Sequence, residues 1–411
     1  MAEPTNTPMP TAPPTPRSGS PVPPLPTSGQ QSIASSPTTT RRPQWPHPHS
    51  QAHSRATSLT VPVHAASSGP RPVVLHIGDP VKYNPDTYAE FSSLFDVVRP
   101  SAEERARPVF IAALRERRWG DFAAIFRPFW GTGGEMGDWD AELIDLLPDS
   151  VRVFASAGAG FDWADVKLLG EKGITYCNSG LAAGEAVADF AVALIIGTFR
   201  ALPYCLSSAG APSTFEAAHA RATALSHNLR GHVLGLVGFG NIGQQIAHRC
   251  AAGFGMDIAY YDVERKGAAV EAGLRARFCA TLESLVRGAD CVVLCAPSGA
   301  GRVINDDSLR WFKPGARLVN VARGALVDDD ALADALEQDR LSCVALDVHA
   351  DEPAVSKRLL AFAGTKALLT CHNAGGTVET HIGFEELSMR NIMAVLAGRE
   401  AITPVNSQWL R

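Results

Sequence analysis

The sequence lacks the features that mark membrane, secreted and nucleic-acid-binding proteins. No apolar run reaches the ~18–20 residues that a membrane-spanning helix needs, and the best candidate, residues 190–199, fits a buried helix. The first ten residues have neither the basic start nor the apolar stretch of a secretory signal. The net charge of −5 gives no general attraction to nucleic acid or to an anionic membrane. We therefore expect a cytoplasmic protein without a nucleic-acid or membrane partner.

The CxxC motif is also absent. The eight cysteines are scattered along the chain, and no two of them form a CxxC motif, which argues against the zinc and redox sites that use this spacing. Most of them lie in apolar runs, where a free thiol packs as a small hydrophobic side chain. This pattern is typical of a protein in a reducing compartment, and it predicts no metal site.

The N-terminal segment has very little charge and a large share of the proline. Residues 1–70 contain 16 of the 29 prolines and four arginines, but no lysine and one acid, Glu3. The segment has no apolar periodicity that could offset the entropy lost on ordering, so we predict that it is disordered. Its low acid content also fits a transit peptide, although arginine is sparse for one. The 33 basic and 41 acidic residues of 71–411 give that part a net charge of −8, which argues against a DNA-binding core.

Segments typical of strands and helices alternate through residues 71–411. Residues 73–77 and 151–155 have the composition of buried strands, and residues 378–396 have the spacing of a long helix. Such alternation predicts an α/β fold with doubly wound parallel sheets. A second and clearer pattern of the same kind begins at Gly231. We therefore predict two similar domains with a cleft between them.

A glycine-rich turn follows the first strand of the second half. Residues 233–243 read Val-Leu-Gly-Leu-Val-Gly-Phe-Gly-Asn-Ile-Gly, with GxGxxG at Gly238, Gly240 and Gly243. In dinucleotide-binding folds the first glycine makes the turn, the second lets the backbone approach a pyrophosphate, and the third lets the helix pack against the sheet. N–H groups at the start of that helix then face the phosphates. The motif predicts a dinucleotide site, although a glycine-rich turn without a ligand would have the same spacing.

Asp262 adds a second requirement of such a site. It stands 19 residues after Gly243, at the end of the next predicted strand, where a carboxylate can accept hydrogen bonds from the ribose hydroxyls of adenosine. The same charge repels a 2′-phosphate, so the pattern favours NAD over NADP. Arg265 and Lys266 lie close by and could soften that discrimination. The alternative is that Asp262 is a solvated residue at a strand end.

Three more polar residues follow apolar strands, namely Arg323, Glu352 and His372. The carboxyl ends of parallel strands meet at one edge of a sheet, so we expect these side chains to lie near the dinucleotide. A guanidinium offers a planar fork for a carboxylate. An imidazole gives or takes a proton near neutral pH, and a neighbouring carboxylate stabilises its protonated form. The set predicts a hydride-transfer site for a carboxylate-bearing substrate.

Simpler roles stay open for each of these residues. Arg323 could pair with an acid at the surface, and Glu352 could be a solvated loop residue, with Asp351 beside it as a competing carboxylate. A lone histidine on a loop is usually structural, as we expect for His349. His372 is a candidate because an arginine and a glutamate accompany it.

Together these motifs resemble the D-isomer-specific 2-hydroxyacid dehydrogenases over residues 73–406. Besides the glycine motif with its following acid, the resemblance rests on Lys-Pro-Gly-Ala at 313–316 leading to Asn320 and Arg323, Leu-Asp-Val at 346–348 ending at Glu352-Pro353, and His372 with Gly375-Gly376. Within the family, the segments that look most like fungal D-mandelate dehydrogenases are residues 230–235, 260–263 and 346–349.

The resemblance implies a division of the chain after the tail. Residues 71–180, completed by residues 379–411, would form a flavodoxin-like substrate domain. Residues 181–378 would form a Rossmann NAD-binding domain. A homodimer is implied as well, with the predicted helix at residues 186–202 as a candidate contact surface.

The resemblance also implies a role for each site residue. Arg323 would hold the carboxylate and carbonyl oxygen of a 2-oxo acid, His372 would donate the proton as hydride arrives, and Glu352 would orient His372 and keep it protonated. The residues expected to contact the cofactor are Gly238, Gly240, Asn241, Ile242, Gly243, Asp262, Pro297, Ala322 and Asp347, the last near the nicotinamide carboxamide. Those expected to contact substrate are Arg323, His372 and, through N–H groups, Ala159 and Gly160.

Two positions depart from the family pattern. Cys371 stands where family members usually have a proline before the histidine, which leaves room for a redox role of its thiol. Residues 298–302, after Pro297, lack a threonine that is common in the family. We therefore expect hydrogen bonding near the cofactor to differ.

The predicted reaction is the NAD-linked reduction of a 2-oxo acid to the D-2-hydroxy acid, with substrates of the mandelate, glyoxylate/hydroxypyruvate or 2-oxoisocaproate type. Phe129 and Trp130 would favour an aromatic or branched substrate if they line the pocket, but they fit a core equally well. The alternative function is an NAD(H)-sensing, co-repressor-like interaction protein of the same fold, since a proline-rich tail can bind partners. The complete Arg-Glu-His set favours the enzyme.

Overall fold

The computed structural model describes residues 70–128, 132–210 and 212–410. The predicted disordered tail, residues 1–70, lies outside this range except for Pro70. The described residues contain twelve strands in two sheets, and every pair of neighbouring strands within a sheet is parallel. The predicted α/β class with two parallel sheets is confirmed.

The smaller sheet precedes the glycine motif in the chain. Its strands are β1 (Val73–His76), β2 (Asp96–Val98), β3 (Ala124–Arg127), β4 (Val153–Ser156) and β5 (Thr175–Cys177). Their order across the sheet is β2-β1-β3-β4-β5, which is the flavodoxin-like order. Both faces are apolar, because helices cover both sides of a wound parallel sheet.

The larger sheet holds the glycine motif and the three predicted catalytic residues. Its strands are β6 (Val233–Val237), β7 (Asp257–Tyr261), β8 (Ala276–Phe278), β9 (Cys291–Leu294), β10 (Ala316–Asn320), β11 (Leu341–Leu346) and β12 (Ala367–Leu369). Their order is β12-β11-β10-β9-β6-β7-β8. The winding reverses at β6, and in open α/β sheets the ligand crevice lies outside the carboxyl ends of the strands at such a reversal.

Helices connect the strands on both sides of each sheet. Those in the first half are α1 (Pro85–Leu94), α2 (Ala102–Arg105), α3 (Arg107–Arg115), α4 (Ala141–Ile144) and α5 (Val166–Glu171). Those that follow are α6 (Gly180–Phe199), α7 (Leu202–Ser208), α8 (Phe215–Leu225), α9 (Asn241–Phe254), α10 (Ala268–Leu274), α11 (Leu282–Gly288), α12 (Asp306–Leu309), α13 (Asp329–Glu337), α14 (Lys357–Leu360) and α15 (Val378–Leu396). Short 3₁₀ turns occur at Pro212–Thr214, Ser298–Ala300, Gly324–Leu326 and Ser407–Trp409.

Helix α6 is the one described helix whose length and hydropathy would also suit a membrane span. The expectation that no segment reaches that length was therefore wrong for α6, because the apolar run at residues 190–199 is only half of the helix. Half of its apolar window is buried inside the protein. Val187, Leu194 and Ile195 pack in one cluster with Leu236 of β6. The packing of α6 is that of a core helix.

The C-terminal residues attach to the smaller sheet. Met389 of α15 packs in one apolar cluster with Val74 of β1. Glu385 is fully buried, and its carboxylate accepts hydrogen bonds of 2.7–2.9 Å from the N–H groups of residues 82–84. Nδ2 of Asn406 donates to the carbonyls of Val166 in α5 and Ile174, and its Oδ1 accepts from the N–H of Tyr176 in β5, all at 2.9 Å. These contacts support the proposal that residues 379–411 complete a domain formed by residues 71–180.

Candidate active site

The glycine turn lies at the end of β6. Gly238 has a φ of +92°, and a Cβ there would lie only 2.8–2.9 Å from backbone atoms of Cys295 and Ala296. Glycine is therefore needed both for the backbone conformation and for the close approach of β9. A Cβ on Gly243 would lie 2.5 Å from the carbonyl oxygen of Gly238, which explains the third glycine. The turn packs as the dinucleotide motif requires.

The second glycine borders open space. Gly240 caps α9, and a Cβ there would meet no atom within 4 Å. The N–H groups of Asn241, Ile242 and Gly243 follow in the first helical turn, where backbone donors lack partners within the helix. An opening beside such donors fits a pyrophosphate. These residues thus suit the nicotinamide dinucleotide that the motif predicts.

Asp262 follows β7 directly and contacts the same turn. Its Oδ2 accepts a hydrogen bond from the N–H of Phe239 at 2.7 Å, and Nζ of Lys266 lies 3.5 Å from Oδ2. The carboxylate therefore braces the glycine turn from the neighbouring strand. Its predicted contact with the adenosine ribose stays a prediction.

Pro297 and Ala322 also lie where the strand order predicts. Pro297 follows β9 and Ala322 follows β10, and these strands are neighbours beside β6 in the sheet. The N–H of Ala322 donates to Oδ1 of Asn320 at 3.0 Å. Both residues therefore border the crevice, and their contacts with a cofactor stay predictions.

His372 and Glu352 form a hydrogen-bonded pair. Nδ1 of His372 lies 2.7 Å from Oε2 of Glu352, and Oε1 accepts from the N–H of His349 at 2.9 Å. Burial pushes the pKa of Glu352 upward, but the hydrogen bonds from His372 and His349 outweigh it and hold that pKa below its usual value. An ionised carboxylate can only accept, so Nδ1 carries the proton of this bond. Nε2 is then the ring nitrogen that can exchange a proton with a substrate.

Asp347 holds the loop that carries His372. It is fully buried, and its carboxylate accepts from Oγ1 of Thr370 at 2.6 Å and from the N–H groups of Asn373 and Ala374 at 2.9 and 2.8 Å. The carbonyl oxygen of Asp347 also accepts from the N–H of His372 at 2.7 Å. The sequence analysis missed this bracing role. The predicted contact of Asp347 with the nicotinamide stays a prediction.

Arg323 follows β10 and reaches the smaller sheet. Its carbonyl oxygen accepts from Nδ2 of Asn320 at 2.8 Å. Its Nη1 donates to the carbonyl of Ala322 at 2.6 Å, and its Nε donates to Oδ2 of Asp162 at 2.6 Å. The guanidinium also lies against Gly160. The predicted substrate-binding arginine is thus in contact with the loop that carries Ala159 and Gly160, whose N–H groups are predicted to contact substrate.

That loop, residues 156–162, connects β4 to α5. Gly158 has a φ of +89°, and the carbonyl oxygen of Ala159 accepts from Nδ2 of Asn178 at 2.8 Å. The N–H of Ser179 donates to the carbonyl of Gly158 at 2.8 Å. The loop is therefore held by residues that follow β5, at the carboxyl edge of the smaller sheet. The N–H contacts of Ala159 and Gly160 with substrate stay predictions.

Backbone contacts join the ends of β10, β11 and β12. The N–H of Asp347 donates to the carbonyl of Asn320 at 3.0 Å, and the N–H of His372 donates to the carbonyl of Asp347. A Cβ on Gly324 would overlap the backbone of His349, whose N–H in turn binds the catalytic glutamate candidate. The guanidinium and the acid–imidazole pair therefore arise from adjoining loops at one edge of the larger sheet.

Other predicted features have different outcomes. Phe129 and Trp130 lie outside the described residues, so the predicted aromatic pocket is not addressed. His349 is buried, and its Nε2 lies 2.8 Å from the carbonyl oxygen of Thr370, as expected for a structural histidine. Cys371 is exposed beside His372. A redox role for its thiol stays a prediction.

Comparison with known proteins relates this arrangement to one enzyme family. Residues 192–374 match the model of the D-isomer specific 2-hydroxyacid dehydrogenase NAD binding domain. The chain is 31% identical over 340 residues to 4-methyl-2-oxopentanoate reductase A of Aspergillus oryzae, covering 82% of this chain and 98% of that protein. Its structure is similar to the apo form of Rhodotorula graminis D-mandelate dehydrogenase, with a TM-score of 0.78 and 41% identity over 82% of this chain and 98% of the other.

A third relative is named for its cofactor. The NADPH-dependent glyoxylate/hydroxypyruvate reductase of Sinorhizobium meliloti, solved with NADP and malonate, has a TM-score of 0.67 and 29% identity, covering 83% of this chain and 99% of that one. The three relatives thus carry the names of enzymes for 2-oxo or 2-hydroxy acids of different size.

Proposed function

Because the chain belongs to the D-isomer-specific 2-hydroxyacid dehydrogenase family, we propose that it transfers hydride between NAD(H) and a 2-oxo acid/D-2-hydroxy acid pair. The observation that carries this proposal is the placement of Arg323 against the loop of residues 156–162, with the His372–Glu352 pair at the neighbouring strand ends. A carboxylate-binding cation and a proton donor at one crevice suit a 2-oxo acid.

Each side chain has a separate task in the proposed mechanism. Arg323 binds the carboxylate and the carbonyl oxygen of the 2-oxo acid, and the N–H groups of Ala159 and Gly160 help to hold the carboxylate. Nε2 of His372 donates a proton to the carbonyl oxygen. Glu352 fixes the ring through Nδ1 and stabilises the imidazolium. A bound nicotinamide would supply the hydride. In the oxidative direction neutral His372 accepts the proton.

We propose NAD as the preferred cofactor. The turn from Gly238 to Gly243 would hold the pyrophosphate, and the Asp262 carboxylate would meet the adenosine ribose and disfavour a 2′-phosphate. Lys266 at 3.5 Å from that carboxylate partly offsets its charge, so the discrimination against NADP is expected to be incomplete.

The proposed substrate is a 2-oxo acid with an apolar group, of the benzoylformate or 2-oxoisocaproate type. The support is the likeness to relatives named for mandelate and 4-methyl-2-oxopentanoate. Glyoxylate and hydroxypyruvate are the smaller alternatives, by likeness to the Sinorhizobium reductase. The enzyme names of these relatives give the co-repressor alternative no support.

We further propose a cytoplasmic homodimer. Half of the residues of α6, which contains most of the predicted contact segment, are buried inside the chain. Leu181 of α6 is 59% exposed, but three large apolar side chains are exposed on α7 and α8, where Leu206, Phe215 and Leu225 are 67%, 59% and 48% exposed. This surface is the better candidate for contact with a second copy.

Steady-state kinetics test the proposed function directly. The substrates are glyoxylate, hydroxypyruvate, 2-oxoisocaproate and benzoylformate, each with NADH and with NADPH. Oxidation of NADH with one or more of them is expected, with the highest kcat/KM for an apolar substrate. Rates at background for every combination would overturn the proposal.

A further inference from the structure

Arg323 is held from both sides of the crevice between the two sheets. Nη1 donates to the carbonyl of Ala322 beside β10, and Nε donates to Asp162, which follows β4 of the other sheet; both distances are 2.6 Å. Two bonds on different nitrogens fix the rotation of a planar guanidinium. Since the group has five N–H donors and Nη2 donates to no acceptor among the described residues, Nη2 can donate to a ligand.

Gly160 shows which way those donors face. Its φ lies outside the left-handed region, so its backbone does not require a glycine. A Cβ at this position would instead overlap Nη2 of Arg323. The guanidinium thus lies where a side chain at position 160 would lie, directly against the loop of residues 156–162. The Nη2 edge therefore faces the proposed carboxylate site.

We propose that Asp162 is a positioning residue for the reaction, which orients Arg323 toward the 2-oxo acid by holding its Nε from the opposite sheet. The inference rests on the proposed function, because it takes Arg323 as the group that binds the 2-oxo acid. The sequence analysis assigned no role to Asp162. Its negative charge is opposite to the positive charge of the substrate-binding Arg323.

A competing role makes the opposite prediction. Asp162 could instead occupy the guanidinium until a substrate carboxylate displaces it. In that case its negative charge would weaken substrate binding, and removing the charge would lower KM. If Asp162 orients Arg323, removing the charge raises KM and lowers kcat, because the guanidinium loses its geometry.

The test is Asp162→Asn in the full chain, with the best 2-oxo acid from the substrate panel. We expect kcat/KM to fall by up to about 100-fold, since displacement of a binding group by about 1 Å has effects of that size. The dissociation constant of NADH, measured by fluorescence without turnover, is expected to stay within twofold. Asp162→Glu restores a carboxylate and is expected to recover part of the loss.

Asp189→Asn is the matched control. Oδ1 of Asp189 in α6 lies 2.6 Å from Nε of Arg249 in α9. The Asp189→Asn variant therefore removes an ion pair with the same Nε–Oδ distance, away from the crevice. The kcat/KM of this variant is expected to match that of the unmodified protein.

A second measurement combines Asp162→Asn with Arg323→Gln. Since Asp162 acts through Arg323, the double variant is expected to be no worse than Arg323→Gln alone.

The outcomes separate this inference from the proposed function. If the unmodified chain reduces no 2-oxo acid, the proposed function has failed. If the chain is active and Asp162→Asn either equals the control or lowers KM, the positioning role is overturned while the function stands. Losses that add fully in the double variant would also overturn it.

Discussion

The two ion pairs of the candidate site are built in different ways. Glu352 and His372 stand 20 residues apart on loops of adjacent strands, whereas Asp162 and Arg323 stand 161 residues apart and come from two sheets. The first pair is also fixed by backbone N–H groups within its own sheet. Proton transfer therefore depends on one sheet, while orientation of the substrate-binding group depends on how two sheets meet.

The largest effect is expected from His372→Gln, which removes proton transfer and leaves the Asp162–Arg323 pair intact. We expect kcat to fall by about 10²–10⁴-fold, the usual contribution of a positioned acid or base. NADH binding should be unchanged, because the glycine turn is separate. His381→Gln in α15 is the histidine control. Near-normal turnover of His372→Gln in a steady-state assay would remove it from the mechanism.

Arg323→Lys tests the second ion pair, between Asp162 and Arg323. The charge is kept, but the planar fork and the Nε–H that binds Asp162 are lost. We expect kcat/KM for the oxo acid to fall by about 10–100-fold, as for the loss of one or two charge-assisted hydrogen bonds. Arg249→Lys is the control. A fall in kcat with unchanged KM would contradict the binding role.

Asp347→Asn tests how firmly the His372 loop is held. The carboxylate accepts three hydrogen bonds while fully buried, and an amide nitrogen cannot accept any of them. We expect a loss of about 1–3 kcal/mol in the free energy of unfolding and a lower kcat. Denaturant unfolding measures the change in the free energy of unfolding. Asp339→Asn, at the exposed Lys366 pair, should change stability by less than about 0.5 kcal/mol; an equal loss in both variants would contradict the bracing role.

The smallest effect is expected from Glu352→Gln on the pH dependence of stability. The folded protein holds the pKa of Glu352 below its ordinary value of 4.5. The stabilisation is therefore complete above about pH 4.5 and is lost as pH falls through the lowered pKa. Melting temperatures between pH 3 and 7 should decline less steeply at the acid end in the variant. Parallel curves for both proteins would contradict this.

Much of the architecture follows from local patterns in the sequence. Helix α15 spans Val378–Leu396, as its spacing predicts. The alternation of strands and helices predicts parallel sheets, and the carboxyl ends of such strands share an edge. That rule alone brings Arg323, Glu352 and His372 to adjoining loops. Boundaries are less well predicted: α6 begins at Gly180, six residues before the predicted start, because its small N-terminal residues give little apolar signal.

The contacts that the sequence does not reveal are long-range polar ones. Asp162 is the last residue of the loop 156–162, but nothing local shows that its partner lies 161 residues away. Asp347 was assigned to the cofactor because it ends a strand in a family motif. Its bracing role depends on N–H groups of a loop 26 and 27 residues further on. Such pairings are set by tertiary packing, which spacing does not encode.

The attachment of α15 to the smaller sheet has a consequence for synthesis on the ribosome. The five strands of that sheet emerge before the larger sheet, but the N–H groups of residues 82–84 and the side chain of Val74 meet Glu385 and Met389 only after the whole larger sheet has been translated. The larger sheet lies between them in the chain and can form earlier. Of the two sheets, the one that is translated first is therefore the one that is completed last.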